Sequence, residues 1–165
     1  MRYEYWIQHD LFTFQWWMLL TLFITPWVIW WSVLDKQRIL EILLYGVSLA
    51  HFVFILDAIG KELTLWGYPY NLEPLMNRFL PIDTSALPVI YMLTYQYFSR
   101  WKAFLWVHIL LACMFTFVLE PILVWSDIYK MNKWKHIYSF PIYFTLPVIM
   151  KWFIEKIKFQ TVQSK

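Results

Sequence analysis

The sequence predicts an all-α fold, a polytopic transmembrane helix bundle of about five spans forming a single integral membrane domain. Three observations predict it. Apolar residues make up 61% of the 165 and charged residues only 15%, more apolar surface than so short a chain can bury in a water-soluble fold. The apolar residues fall into runs of about 20, the length that crosses about 30 Å of hydrocarbon as a helix. The basic residues collect in the short breaks between runs. With a net charge of only +3, that pattern reads as topology signal and excludes a nucleic-acid footprint.

The first run, 14–34, carries no charge. It is too long and, with Trp16, Trp17, Trp27, Trp30 and Trp31, too bulky for a cleaved signal peptide, and it lacks a small-residue cleavage site, so it is expected to be retained. The second, 39–59, follows the charged turn 35–38, short enough to make a tight helical hairpin. The third and fourth are 80–98 and 103–125. The fourth holds the chain's single cysteine, Cys113, so no intrachain disulfide is available. The fifth is 137–157. Lys151 inside it is expected to send its long stem to the interface.

Lys36, Arg38, Arg100, Lys102, Lys156, Lys158 and Lys165 fall on one side of these spans, against Arg2, Lys61, Arg78, Lys130, Lys133 and Lys135 on the other. The positive-inside rule then sets the N-terminus outside and the C-terminus in the cytoplasm of a cell membrane. The outer segment 61–79 mixes Gly67, Pro69 and Pro74 with Trp66, Tyr68, Tyr70 and Leu72. Aromatics of this kind favour the headgroup layer, so the segment is expected to lie on the outer surface as a lid or shallow re-entrant turn; the same composition also suits a plain interfacial anchor.

Carboxylates within apolar spans are costly, about 2.5 to 3.5 kcal/mol each at mid-helix, so each asks for a partner or a purpose. Asp57, Asp83 and Glu120 are the candidates. At 1.5 Å per residue, an outside N-terminus sets all three within roughly 10 Å of the same outer boundary. They would then bind a cation, share protons, or pair with bases from the outer loops such as Arg78 or the group Lys130, Lys133 and Lys135. The plainer alternative is local capping near the headgroups, as for Asp83 after Pro81.

Helical phase extends the candidate pocket. Cys113, Thr116 and Glu120 share one face of the fourth span, beside a ladder loosened by Pro121. Thr84, Pro88, Tyr91 and Tyr95 form a hydroxyl-bearing stripe on the third. Glu41, Tyr45, Ser48 and His51 align on the second, with Asp57 off that stripe. His51 sits at mid-bilayer, where it would relay protons or rest as a neutral, hydrogen-bonded core histidine. His108 is read as packing. The candidate pocket is therefore Asp57, Asp83, Glu120, Tyr91, His51, Thr116, Trp66, Tyr68 and Tyr70.

Several chemistries lack their signatures. There is no metal-ligand motif at fixed spacing, no glycine-rich phosphate loop, no Gly-x-Ser-x-Gly elbow, no arginine ladder and no DxxxD-type motif of prenyl-diphosphate enzymes. No metal and no cofactor is assigned, and no catalytic residue is named.

The stretches LWGYPY, LPIDTSALPVIYMLTYQYF, LEPILVW, IYKMNKWKHIYSFPIY and KWFIEKI together resemble a family of small uncharacterised multi-pass membrane proteins of spore-forming Bacilli and Clostridia, over nearly the whole chain. That resemblance implies a bacterial plasma-membrane protein and brings no activity with it. A much weaker likeness is to membrane-embedded carotenoid cyclase domains, in which a proline is followed by acidic residues as Pro81 is by Asp83. The paired acids of that pattern are a single Asp83 here. By that analogy Asp83 and Glu120 would be acid/base residues acting on a polyene or lipid chain.

Three functions follow as expectations. The first is binding of a small solute, cation or lipid headgroup in an outward-facing acidic pocket. The second is a membrane-embedded lipid- or isoprenoid-modifying enzyme using a carboxylic acid. The third is a structural or accessory membrane subunit. The expected partners are membrane lipids and a small solute or cation. A homodimer is open to so small a bundle, although no GxxxG pattern marks a dimer face.

Overall fold

The computed structural model describes residues 2–74 and 79–163. In chain order these form α1 (Arg2–His9), α2 (Phe14–Val33), α3 (Ile39–Glu62), β1 (Trp66–Gly67), a π-helical turn Ile82–Ala86 running into α4 (Leu87–Tyr97), α5 (Trp101–Met114), a second π-helical turn Phe115–Leu119 running into α6 (Glu120–Trp125), β2 (Lys130–Met131) and α7 (His136–Gln163). It is an all-α bundle. Among the described residues four helices are long and apolar enough to cross a membrane, Phe14–Val33, Ile39–Glu62, Trp101–Trp125 and His136–Gln160. Only 11 to 28% of each apolar stretch is buried inside the protein. Val28, Trp31, Leu40, Val47, Trp106, Leu110 and Trp152 face outward, an apolar exterior that water does not tolerate and lipid does.

The expected third span, 80–98, is the short helix at the centre. Leu87, Pro88, Val89, Tyr91, Met92, Thr94 and Tyr95 of α4 are all buried, because α2 and α3 pack on it and α5 also touches it, while α7 packs on α3 and α5. Close approach of α3 depends on Gly46, where a Cβ would lie 2.3 Å from Met92 Sδ. The turn 35–38 and the turn between α4 and α5 share one end of the bundle, since Arg38 Nη1 donates to Gln96 O at 3.4 Å and Lys158 Nζ to Glu41 Oε2 at 2.7 Å.

Each π-helical turn ends two residues before a proline, Ala86 before Pro88 and Leu119 before Pro121. Proline has no N–H, and its ring pushes on the carbonyl four residues back; a wider turn absorbs both demands. Pro147 in α7 leaves the carbonyl of Tyr143 without its helical donor. Tyr91 Oη fills that place at 2.8 Å, the kind of replacement that lets proline stand in a membrane helix.

Lys151 sends its stem to the turn that follows α4: it is 1% exposed, donating to Phe98 O at 3.2 Å and Ser99 O at 2.8 Å and lying over the ring of Phe104. The carbonyls that close α4 have no helical donors, and the ammonium supplies them.

The other end is built from loops. β1 pairs antiparallel with β2, Trp66 opposite Met131 and Gly67 opposite Lys130, and Leu65 O accepts from Asn132 N and Lys133 N. The segment after β1 is clamped from the N-terminus. Trp6 Nε1 donates to Asn71 O, Trp16 Nε1 to Leu72 O, and Asn71 N to Asp10 Oδ2. Leu19, Tyr68, Phe79, Ile128 and Tyr129 form a second apolar cluster beneath it.

A candidate acidic chamber beneath the aromatic loop

Asp57 of α3, Asp83 of the first π-helical turn and Glu120 at the start of α6 line one cavity of about 110 Å³. They are 6, 5 and 5% exposed. Most of the rest of the wall is apolar or aromatic, with Val53, Leu56, Ile82 and Leu123 beside Trp66, Tyr68, Tyr129 and Trp134. Carboxyl groups in an apolar enclosure each ask for a hydrogen-bonding partner.

Asp57 reaches the chamber because α3 packs along Ile42, Tyr45, Gly46, Leu49, Asp57 and Gly60, a spacing of three and four that keeps one face inward. Trp66 Nε1 donates to Asp57 Oδ1 at 2.8 Å, and Tyr68 Oη makes a short hydrogen bond to the same oxygen. The indole gets there only because Gly60 has no side chain: a Cβ would lie 2.0 Å from Trp66 Cζ2. Asp57 Oδ2 is buried with no hydrogen-bond partner among the described residues.

Glu120 is held from α7. His136 Nδ1 lies 2.9 Å from Glu120 Oε2, and Tyr143 Oη donates to Oε1 at 3.0 Å. Trp134 closes that side, its Nε1 donating to Ser139 Oγ at 2.9 Å and its ring meeting that of Trp66 edge-on at 5.0 Å. The Tyr68 phenol is pushed well above its ordinary value by burial and by the charges of Asp57 and Asp83. Tyr129 is raised by burial and by Glu120, Asp57 and Asp83 together. Both phenols therefore keep their protons as donors.

Of the candidates read from sequence, Asp57, Asp83, Glu120, Trp66 and Tyr68 line this chamber, and the others do not. Tyr91 is spent on Tyr143 O, and Tyr95 of the same stripe on Glu41 Oε1 at 2.6 Å, so neither hydroxyl serves the chamber; Tyr95 lines a separate cleft with Arg38, Glu41 and Lys151 at the other end of the bundle. His51 is exposed on the outside of α3; of its stripe, Tyr45 is fully buried and Glu41 is bonded by Tyr95, Ser48 is half-buried, and only His51 turns away from the packed face. Thr116 is fully buried, its Oγ1 without a hydrogen-bond partner among the described residues. Tyr70 packs at the edge of the second apolar cluster. Arg78 lies outside the described residues.

Reading the sequence missed His136, Tyr143, Tyr129, Trp134 and Ser139. His136 stands just before the fifth span, within a turn or two of the level expected for Glu120, and the segment before it is as aromatic as 61–79; both are signals that point to this end of the bundle. Among the described residues no three of His, Cys, Asp and Glu are grouped as ligands for one metal ion, so the acids share a cavity without forming a cage. Compared with known proteins, the chain matches no family model, no curated protein and no solved structure.

Proposed function

We propose that this protein is a multi-pass protein of a cell membrane that binds a small solute or lipid headgroup in the acidic chamber, with that end of the bundle outside and the C-terminus in the cytoplasm. The observation that carries the reading is the convergence of three buried carboxylates from separate helical segments on one aromatic-walled cavity. Burying such groups together opposes folding unless something else requires it. The cavity is well below the roughly 300 to 1,000 Å³ of drug-sized pockets, which favours a headgroup or small solute over a whole lipid chain. Thermal unfolding of the purified protein across a panel of small solutes and lipids tests it. A saturable rise in melting temperature is expected for at least one class, and Asp57→Asn and Glu120→Gln should lose it. Unchanged melting across the panel contradicts the reading.

A catalytic reading draws on one observation, the His136–Glu120 pair beside Tyr143. A carboxylate held by an imidazole at 2.9 Å is a chemically competent acid/base couple. Here the reacting end of a lipid would enter the chamber while its chain stayed in the bilayer. Lipid mass spectra from cells with and without the protein test it, since identical profiles leave no product to account for.

A further inference from the structure

We infer that the chamber takes a small protonated amine, a primary or secondary ammonium, with Asp57 Oδ2 as the acceptor that selects it. This rests on the binding reading above and names its ligand class. Asp57 is 6% exposed, and its two oxygens are treated unequally. Oδ1 receives both the indole N–H of Trp66 and the phenol O–H of Tyr68, while Oδ2 receives nothing from any described residue. A buried carboxylate oxygen without a donor is costly and rare. Glu120 shows the contrast, with one partner on each oxygen.

The group that completes Asp57 must donate a hydrogen bond, and the surroundings ask that it be cationic. No lysine or arginine is among the described residues of the wall. Lys61 lies against the ring of Tyr68, its Nζ 5.8 Å from the centroid, and is not part of the lining. Trp66, Trp134, Tyr129 and Tyr143 line the space with aromatic rings, whose faces attract an ammonium and whose apolar bodies suit its attached methylenes. A metal ion would instead need several oxygens converging on one point, and the described acids are not so grouped. A quaternary ammonium would satisfy the aromatic walls but has no N–H to give Asp57 Oδ2. An alcohol could donate but brings no charge.

The same chemistry reaches a membrane protein from two sources, a free alkylamine or the ethanolamine headgroup of a lipid. The test follows melting of the purified full chain in detergent micelles with propylammonium, tetramethylammonium or 1-propanol, and in nanodiscs of phosphatidylethanolamine or phosphatidylcholine. Propylammonium is expected to raise the melting temperature saturably in micelles if the ligand is free. Phosphatidylethanolamine alone is expected to raise it if the ligand is a headgroup. Asp57→Asn should weaken the response roughly 10- to 100-fold, the value of a hydrogen bond to a charged group. If that variant does not fold, the wild-type series decides by itself. An equal response to tetramethylammonium, to phosphatidylcholine or to 1-propanol overturns the amine assignment while leaving a binding chamber. No response to any probe overturns both.

Discussion

Gly60 and Trp66 occupy the same space: the indole of Trp66 lies where a side chain at residue 60 would begin, 2.0 Å from an ideal Cβ. That overlap makes the hydrogen bond from Trp66 to Asp57 depend on a residue that never touches the carboxylate. Alanine favours a helix over glycine by about 1 kcal/mol, so Gly60→Ala would stabilise α3 if nothing stood beside it. With the rigid indole there, overpacking should dominate and cost about 1 to 3 kcal/mol in mixed-micelle unfolding. Gly60→Ala with Trp66→Ala should recover part of that loss, and strict additivity of the two would contradict the contact.

Tyr68 tests the other donor to Asp57. Removing only its hydroxyl keeps the ring stacked on Phe79, whose centroid is 4.6 Å away, and takes one of two donors from Asp57 Oδ1. Tyr68→Phe should destabilise by about 1.5 to 3 kcal/mol, the range for hydrogen bonds to a charged group. Tyr70→Phe, at the edge of the same cluster, should stay within about 0.5 kcal/mol in the same unfolding assay.

The Tyr91 hydroxyl and Pro147 form a pair of cause and remedy. Tyr91→Phe leaves the buried carbonyl of Tyr143 without a donor and should cost about 1 to 3 kcal/mol. In a Pro147→Ala background the helix provides its own N–H, and the same substitution should cost much less. Equal costs in both backgrounds would show that the hydroxyl does not serve that carbonyl.

Stability should also depend on pH through the N-terminal clamp. Asp10 is held above its ordinary value of 3.8, chiefly by burial, with the Asn71 N–H and His9 acting the other way. In the window from that value upward the native state keeps a proton that the unfolded chain gives up. The native state therefore gains relative stability below the window and loses it as pH rises through it. Hydrogen exchange of the segment 3–12 should speed up across that interval, and Asp10→Asn should flatten the dependence. Exchange that slows with rising pH, after correction for intrinsic rates, would contradict the sign.

Much of the bundle was legible in the sequence because hydrocarbon imposes one strong requirement, long apolar helices, and the runs at Phe14–Val33 and Ile39–Glu62 meet it without ambiguity. That Asp57, Asp83 and Glu120 stand at one level of the bundle was legible for the same reason, since rise per residue is constant. Rotation about each helix axis was not. In α3 the polar stripe ends on His51, which faces outward, while the packed face runs through Tyr45, Gly46, Asp57 and Gly60, with glycine at 46 and 60 letting α4 and the Trp66 indole approach. Small residues mark close packing as strongly as polar ones do, and that signal outweighs a lone histidine. The short helix α1 and its clamp on Asn71 left no periodic trace, because contacts such as Trp6 to Asn71 O are made by single side chains to loop backbone.

The central claim is that Asp57, Asp83 and Glu120 share one chamber roofed by the Trp66–Tyr68 segment. The most direct measurement is peptide mass spectrometry of carboxylate modification by an apolar carbodiimide, comparing wild type with Trp66→Ala. Opening the roof should raise modification at all three acids together while Glu155, at the far end of the bundle, stays unchanged. A rise at Asp57 alone, or none at any of the three, would mean that they do not share an enclosure.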